Sequence, residues 1–491
     1  MGTAQMFLAA TIILPLAGGI ALSFLPLSRE SLARPCALAI SSAVLAMTAY
    51  LWTSFDGSRA GMHFETRLPW IEGLGTSFHL GVDGLSLPML FLTALLTVVA
   101  VIASRSIKDR PRQYFTLLLM LEAGLCGVFV SLDLILFYLF WEVVLVPMYF
   151  LISIWGGEKR AYAAVKFFLY TLAGSLAMLG GIIALYLATG ATTFDMLEIA
   201  VLAGNLTPAV QTGIFVAIAL GLAVKVPIFP LHTWLPDAHV QAPTAVSVLL
   251  AGVLLKMGSY GFLRLGPAML AKGFSAVAPV IAVLAVISIV YGAALALVQT
   301  DLKRLVAYSS VSHMGYVMLG IAAGTAASVT GATVQMFSHG LIAGLLFLLV
   351  GAVYERAHTR EISAFGGIAK ITPVLAGTLV FASFASLGLP GMSGFVGEFL
   401  VLAGSIQEFS ALTVVAAVAV VLTVSYLLWM LRRVNFGQLN PSRAGMADMT
   451  ASEALSMAPL CVLIVVVGVF PQTLVGVMAA SVDAIAKVIG L

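Results

Sequence analysis

The segment LAVKVPIFPLHTWLPDAHVQAPTAVSVLLAGVLLKMGSYG, residues 222–261, carries most of the information about the fold. Two lysines, Lys225 and Lys256, stand in its apolar runs, although a charged side chain at the centre of a bilayer is disfavoured by roughly 2.5–3.5 kcal/mol. Three prolines follow Lys225 closely, and each removes a backbone donor, so a helix through this segment is expected to break there. The segment therefore predicts membrane-spanning helices, one of them interrupted, with functional side chains inside them.

Composition places the whole chain in the membrane class. Hydrophobic residues make up 61% of the 491 residues, charged residues only 9%, and the mean hydropathy is +1.10. A spanning helix needs about 20 apolar residues, so the chain has room for roughly fourteen spans and for no soluble domain. We predict an all-α polytopic fold with spans at 4–25, 33–54, 83–104, 113–131, 133–154, 163–188, 209–229, 240–263, 275–298, 303–323, 328–354, 373–405, 412–431 and 455–479.

The basic residues support this topology. If the loop after the first span is cytoplasmic, 17 of the 24 Lys and Arg residues face the cytoplasm. The positive-inside rule then supports a multi-pass protein of fourteen spans with both termini on the outside. The net charge of +3 follows from this bias and does not indicate nucleic-acid binding. The cytoplasmic set consists of Arg29, Arg34, Arg105, Lys108, Arg110, Arg112, Lys159, Arg160, Lys166, Lys303, Arg304, Arg356, Arg360, Lys370, Arg432, Arg433 and Arg443.

The sequence carries no recognisable site for a cofactor, a metal or a nucleotide. Cys36, Cys126 and Cys461 show no Cys-x-x-Cys or Cys/His spacing, which argues against a disulfide framework and against a metal cluster. No HExxH, G-x-S-x-G, Walker A or strand-linked G-x-G-x-x-G motif occurs. Residues 6–26 are apolar but lack a cleavage site, so we expect a retained first span.

A second interruption is predicted in ASLGLPGMSGFVGEF, residues 385–399, where glycines and a proline precede Glu398. Irregular backbone at membrane depth is tolerated where it lines a cavity, and paired broken helices are typical of inverted-repeat transporters. The breaks fall in the seventh and twelfth spans, as two inverted five-helix repeats of spans 4–8 and 9–13 require. The alternative is that Pro and Gly only kink packed helices. The predicted segments are 1–111 with spans 1–3, 112–264 and 265–435 with the two repeats, and 436–491 with span 14.

Glu142 and Lys225 are predicted partners. Glu142 lies well inside its span in LFYLFWEVVLVPMYF, among Phe, Trp and Val. A lone buried carboxyl is more stable when neutral, whereas a nearby ammonium stabilises its charge. Lys225 is the obvious source of that ammonium. The alternative is a static buried ion pair, although such pairs often stabilise a fold no better than apolar replacements do.

Four further residues extend the row of ionisable groups. Lys256 has no loop within reach of its ammonium, which disfavours simple snorkelling to the interface. His313 and His339 lie in consecutive spans among small and hydroxylated residues, and histidine relays protons readily near neutral pH. Glu398 follows the second break. The structural alternatives are histidines that only pack in a polar helix seam and a carboxylate that bonds freed backbone groups.

Three other polar residues are noted without a firm role. Glu122, in LLMLEAGLC, is a further intramembrane acid with no identifiable partner. His232 and His239 flank Asp237 after the first break. Histidine and aspartate are common metal ligands, so these three residues are candidates for a metal site. The spacing is weak support for a metal, and anchoring of the loop is the favoured interpretation.

The segment 222–261 resembles the shared signature of the antiporter-like proton-channel subunits of respiratory complex I and of Mrp-type cation/proton antiporters. FYLFWEVVLVPMYFLISIWGGEKRAYAAVKFFLYTLAGSLAMLGG, residues 137–181, is similar to the NuoM, or subunit 4, branch of complex I. The resemblance extends over essentially the whole chain. The length also agrees with that branch and not with the NuoL-like subunit, which has an added lateral helix.

This resemblance implies a non-redox, proton-translocating subunit of an NADH:quinone oxidoreductase. With the charge bias, it implies a multi-pass protein of the bacterial inner membrane with both termini on the periplasmic side. FMN, iron–sulfur clusters and quinone would be held by partner subunits, and NuoL-like and NuoN-like subunits would be neighbours in the membrane arm. The family pattern places the proton relay on Glu142 as the fifth-span carboxylate, Lys225 as the seventh-span lysine, Lys256 as the central lysine, His313 and His339 as linking histidines, and Glu398 as the exit-side acid.

Two other functions remain open from sequence. A subunit of an Mrp-type cation/proton antiporter would share the lysine–glutamate core, and residues 137–181 favour complex I over it. A structural scaffold of a membrane arm is the second alternative. It predicts that neutralising Glu142 or Lys225 reduces assembly and leaves turnover intact.

Overall fold

The computed structural model describes residues 2–489, which are mostly helical. Thirteen helical segments of this part are long and apolar enough to cross a membrane, and two shorter apolar helices follow one another where the twelfth span is predicted. The predicted all-α fold with about fourteen spans is therefore confirmed. In chain order the helices are α1 (Thr3–Ser23), α2 (Ala33–Thr53), α3 (Ser86–Ala103), α4 (Pro111–Val130), α5 (Leu134–Val143), α6 (Leu145–Trp155), α7 (Arg160–Ala188), α8 (Met196–Ala203), α9 (Pro208–Lys225), α10 (Trp234–Gln241), α11 (Thr244–Leu249), α12 (Leu255–Leu265), α13 (Ala271–Leu297), α14 (Leu302–Ala323), α15 (Ala326–Ala357), α16 (Pro373–Ser386), α17 (Ser393–Ser405), α18 (Ser410–Val434), α19 (Ala451–Val469) and α20 (Gln472–Ile489).

The two ends of the helix bundle differ in charge. The loops after α1, α3 and α6 and the end of α15 carry Arg and Lys residues, and we call this end the basic side. At the other end, α8 and α20 lie together with a β-hairpin between α2 and α3, and we call this end the hairpin side. Successive spans alternate in direction between the two sides, as short connections between spanning helices require.

Both predicted interruptions of spans are present. α9 ends at Lys225, and the indole of Trp234 on α10 donates to the carbonyl of Val224 at 2.9 Å. This bond satisfies one of the backbone acceptors that the end of α9 leaves free. Between α16 and α17, Gly388 and Gly391 have φ of 81° and 90°, which only glycine adopts without strain. The assignment of these breaks to two inverted repeats stays a prediction, as do the four predicted segments.

A β-hairpin on the hairpin side departs from the purely helical prediction. Strands β1 (His63–Ile71) and β2 (Thr76–Val82) pair antiparallel. Gly75 closes the turn with φ of 66°, and a Cβ at this position would lie 2.2 Å from the Thr192 carbonyl oxygen. The prediction missed the hairpin because hydropathy detects long apolar runs and gives little signal for a short, partly polar strand pair.

Charged side chains fasten the hairpin to the start of α8. His79 Nδ1 lies 2.6 Å from Asp195, and its Nε2 lies 3.3 Å from Glu65. Arg67 lies 3.6 Å from Asp195 and 2.7 Å from Glu198. Burial raises the pKa of Asp195, but hydrogen bonds from His79 and the Glu198 amide, with the charges of His79 and Arg67, lower that pKa below its usual value.

A separate helix follows the fourteenth span. The sequence predicted one span over 455–479, but α19 ends at Val469. Pro471 follows closely and has no backbone N–H to continue the helical hydrogen bonds. The Gly84 amide donates to the Ser481 hydroxyl of α20 at 2.9 Å, and a Cβ on Gly84 would lie 2.2 Å from the Val477 carbonyl oxygen. α20 thus packs closely over the start of α3 on the hairpin side.

Candidate functional site

Lys256 lies in the middle of the eighth span, just after the π-helical turn Leu250–Leu254 that joins α11 to α12. Such a turn disturbs the regular backbone pattern and is frequent at functional sites. Lys256 Nζ donates to the Ala251 carbonyl in this turn at 2.5 Å, and it lies 2.6 Å from Nδ1 of His339 on α15. Because the side chain is fully buried, these two contacts replace its hydration.

His313 and Glu398 form a second buried contact, at the broken twelfth span. His313 on α14 places Nδ1 at 2.6 Å from Oε1 of Glu398 on α17. Its other ring nitrogen, Nε2, lies 3.1 Å from the hydroxyl of Ser386, the last residue of α16. The break therefore presents two polar groups to one imidazole, one from each half of the interrupted helix.

His313 and His339 join these two contacts. Their ring centroids are 5.7 Å apart. A cavity of about 10 Å³, enough for about one water molecule, borders both rings. Lys256, His339, His313 and Glu398 therefore form one continuous row, which we call the central row. Each step in it is short enough for a direct hydrogen bond or one bridging water.

Gln335 belongs to this site but was not among the predicted residues. It lies one turn before His339 on α15, and its Nε2 donates to Oε1 of Glu398 at 2.9 Å. Gly397 leaves the space for it, since a Cβ there would lie 2.6 Å from Gln335 Oε1. The sequence prediction missed Gln335 because it considered ionisable side chains, and an amide is uncharged. The available signal was its four-residue spacing from His339, which puts both on one helix face.

Lys225 is fully buried at the end of α9, and its ammonium has no hydrogen-bond partner within residues 2–489. Nζ lies 5.2 Å from the centroid of the Trp141 ring and 6.0 Å from that of Phe167, within cation–π range. Glu142 follows Trp141 on α5 and interacts electrostatically with Lys225. The two form no ion pair, and Glu142 Oε1 also has no hydrogen-bond partner in the described chain.

The helices that carry the two lysines are in close contact. A Cβ on Gly258 of α12 would lie 2.9 Å from the Leu222 carbonyl oxygen and from the Val226 amide nitrogen. Val226 directly follows Lys225, and Gly258 stands two residues after Lys256. This glycine contact brings the end of α9 against the start of α12, next to the central row.

Glu122 has a partner that the sequence did not indicate. Its Oε2 accepts a hydrogen bond from the Ser41 hydroxyl at 2.8 Å, across the contact between α4 and α2. Its Oε1 is buried and has no partner in residues 2–489. Glu122 thus belongs to the packing of the first four helices and makes no contact with the central row.

His232, Asp237 and His239 point to different partners. The His232 ring stacks on Phe229 with centroids 5.8 Å apart. Asp237 lies 2.7 Å from the Lys166 ammonium and also pairs with an arginine of α14. The three side chains therefore do not converge, and the part of the chain that the structure describes contains no group of three or more His, Cys, Asp or Glu arranged for a metal ion.

Comparison with known proteins assigns the class. The family described as NADH:quinone oxidoreductase/Mrp antiporter, transmembrane, matches residues 131–424. A relative from Rhodobacter capsulatus, NADH-quinone oxidoreductase subunit M, is 43% identical over 492 residues, covering 97% of this chain and 96% of the relative. The chain belongs to this family of membrane subunits. Within the family its similarity is to subunit M of complex I.

Solved structures agree with this assignment. A chain of respiratory complex I from Thermus thermophilus superposes with a TM-score of 0.89 at 31% identity, covering 99% of this chain and 100% of the other. A chain of the Mrp complex from Dietzia sp. superposes with a TM-score of 0.88 at 22% identity, over 100% of both chains. The second likeness shows a shared fold alone. An Mrp-type function is therefore less supported than a function in complex I.

Proposed function

We propose that this chain is a proton-translocating membrane subunit of a respiratory NADH:quinone oxidoreductase. The central row carries the proposal. Lys256, His339, His313 and Glu398 place an amine, two imidazoles and a carboxylate in sequence, and each of these groups can both accept and release a proton. Buried ionisable groups at membrane depth are costly, and a connected series of them is typical of a proton path.

Glu142 and Lys225 act as the control point in this mechanism. A carboxylate near an ammonium stabilises the charged form, and the stabilisation weakens as the separation grows. Because the two groups are close without forming an ion pair, small movements of α5 against α9 change this interaction. When Glu142 moves away from Lys225, the charged form of Lys225 is less stabilised. Lys225 then releases its proton toward Lys256, across the glycine contact of α9 with α12.

Release takes place toward the hairpin side. α17 runs from Glu398 to Ser405 at that side, and the buried Ser405 hydroxyl has no partner in the described chain. The hydroxyl of Thr413 at the start of α18 is likewise buried without one. These hydroxyls provide donors and acceptors between Glu398 and the outside.

The chain performs no redox chemistry in this proposal. FMN, iron–sulfur clusters and quinone belong to partner subunits, and the driving signal arrives through NuoL-like and NuoN-like neighbours in the membrane arm. The basic side faces the cytoplasm of a bacterial cell, which puts both termini on the periplasmic side of the inner membrane.

The test measures proton uptake into vesicles that contain the native assembly, driven by its electron donor. The assemblies compared are the unaltered one and those with Lys256→Ala or Glu142→Gln. Loss of a positioned proton carrier is expected to slow pumping by about 100-fold or more. Co-purification of the partner subunits with the variant chain reports that the assembly is intact. A Lys256→Ala complex that assembles and pumps at the normal proton-to-electron ratio contradicts the relay.

The same measurement separates the scaffold function. A scaffold predicts fewer assembled complexes for Glu142→Gln, each with normal pumping. The relay predicts normal assembly with lost pumping. Quantifying the complex by co-purification of its partner subunits decides between these outcomes.

A further inference from the structure

A cavity of about 760 Å³ opens on the basic side between the ends of α3, α15 and α19, and we call it the basic-side cleft. Gly351 of α15 and Met457 of α19 line it. Each stands six residues from the basic-side end of its helix, which corresponds to about 9 Å along the axis. Because each headgroup layer of a bilayer is about 5–7 Å thick, the cleft extends through that layer into the hydrocarbon.

The wall of the basic-side cleft changes from polar to apolar with depth. Exposed residues of the loop after α3 and of the segment before α19 line its mouth, namely Arg105, Ser106 and Thr450. Buried Leu348 and Met457 line its inner part. Burying apolar surface is favourable at about 25 cal/mol per Å², so an apolar chain gains free energy by entering the inner part. The cleft therefore suits a molecule with a polar head and an apolar chain.

Two aromatic side chains mark the level of the membrane surface at the cleft. Tyr114 and Trp155 both line it, with ring centroids 5.2 Å apart. The Trp155 indole donates to the carbonyl of Asp109 at 2.8 Å, in the loop between α3 and α4. Tyrosine and tryptophan are enriched where lipid headgroups meet the hydrocarbon. The headgroup level therefore coincides with the loop that carries Arg105.

Two arginines with like charge lie near each other at this level. The charge of Arg105 acts on Arg34, at the start of α2. The Arg34 guanidinium donates to the carbonyls of Val101 and Ile102 at 3.2 and 3.1 Å. These carbonyls end α3, and a helix C-terminus attracts a cation, which accounts for Arg34 but not for Arg105. An anion bound beside Arg105 would offset the repulsion between the two guanidinium groups.

Acidic residues in the cleft leave this positive charge in place. Glu453 lines the cleft, but its two carboxylate oxygens accept hydrogen bonds from Arg356 at 2.7 Å each. Glu355 is an exposed acid of the lining, on α15. The loop of residues 104–112 carries four basic residues and one acid, so the mouth stays positive when Glu355 is included. The charge at the mouth therefore favours an anionic head.

We propose that the basic-side cleft binds an anionic phospholipid, with the phosphate at Arg105 and one acyl chain along Leu348 and Met457. Basic pockets between spanning helices recognise anionic headgroups in this way. A free phosphate would leave the apolar inner part unfilled, so the ligand is a lipid. The bound chain fills the space between α19 and α15. The inference concerns the packing of these helices and does not rest on the proton relay.

The experiment places the native assembly in nanodiscs with a phosphatidylglycerol that carries a photoreactive diazirine on one acyl chain. After illumination, the labelled peptides of this chain are mapped by mass spectrometry. We expect labels at Leu348, Met457 or their direct neighbours. Phosphatidylcholine with the same diazirine chain is the zwitterionic comparison. Because one basic residue near a membrane surface changes the affinity for an anionic lipid by about fivefold, Arg105→Gln should lower the phosphatidylglycerol labelling there by about that factor.

Lys370→Gln, at an exposed lysine of the basic side outside the cleft, is the matched control and should leave the labelling unchanged. Absence of labels at Leu348, Met457 and their neighbours overturns the site. Equal labelling by the two lipids overturns the anionic head, as does labelling that Arg105→Gln leaves unchanged. If Arg105→Gln fails to assemble, labelling of the unaltered assembly in about 1 M salt decides, since salt screens exposed charges and should weaken the phosphatidylglycerol signal.

Discussion

His313 and Glu398 are joined by a contact of 2.6 Å between Nδ1 and Oε1, although the two residues stand 85 positions apart in the chain. The contact exists because the twelfth span breaks. Ser386 from the first half of that span and Glu398 from the second half both reach the same ring. Under the proposed function, proton release to the hairpin side would therefore depend on the acid at this break.

Glu398→Gln tests that dependence. The amide keeps the size of the side chain but cannot accept a proton from His313 near neutral pH, so we expect proton release to slow by about 100-fold. Donor-driven pumping by the purified complex in vesicles measures it. Glu408→Gln, at an exposed acid of the loop after α17, is the control. Unchanged pumping in Glu398→Gln contradicts the assigned role.

Gly397→Ala tests the support of Glu398 by Gln335. The added methyl would lie 2.6 Å from Gln335 Oε1 and 2.8 Å from its Cα, so the two helices must separate. Overpacking of this kind costs about 1–3 kcal/mol, and we expect a lower unfolding temperature together with slower pumping. Gly377→Ala in α16, where a Cβ meets nothing within 4 Å, serves as the control. Equal behaviour of the two variants would refute the prediction.

Arg264→Met tests the tie between α12 and the hairpin side. Arg264 pairs with Asp83 at 2.8 Å, and both side chains are buried. Removing one partner of a buried ion pair leaves an uncompensated charge, at a cost of about 3–5 kcal/mol. The expected result is a marked loss of assembled complex and of thermal stability, measured on the purified assembly. Lys272→Met, at an exposed lysine on the same side, should change neither.

The contact of His79 with Asp195 predicts a pH dependence for the hairpin. Because the pKa of Asp195 is lowered in the folded protein, its contribution to stability is fully present above the ordinary Asp value, about 4. The contribution is lost as pH falls through the lowered pKa. Asp195→Asn should therefore loosen residues 63–82 at pH 7, as measured by hydrogen exchange, and should remove the acid-dependent loosening that we expect below about pH 4.

Glu72→Gln, at an exposed acid of the hairpin turn, provides the comparison for that experiment. It should leave exchange in the hairpin unchanged at both pH values. If amides of residues 63–82 are as protected from exchange at pH 7 in Asp195→Asn as in the unaltered protein, the Asp195 carboxylate does not stabilise the hairpin.

Sequence alone determined the all-α membrane fold, the approximate spans and the two interruptions. These are local properties, because apolar length and the loss of a backbone donor act within one helix. The ionisable positions were visible for the same reason. A charge inside an apolar run, such as Lys256 or Glu398, stands out without any knowledge of neighbours.

Tertiary structure alone decided which of these groups touch. Lys256 meets His339, and Gln335 and Ser386 join the row, through contacts between residues 63 to 85 positions apart. Glu142 and Lys225, which the sequence predicts as partners, are close to each other but form no ion pair. The Lys225 ammonium lies over the Trp141 ring instead. Such pairings depend on the angle and depth at which helices pack, and these follow from side-chain shape across the whole bundle.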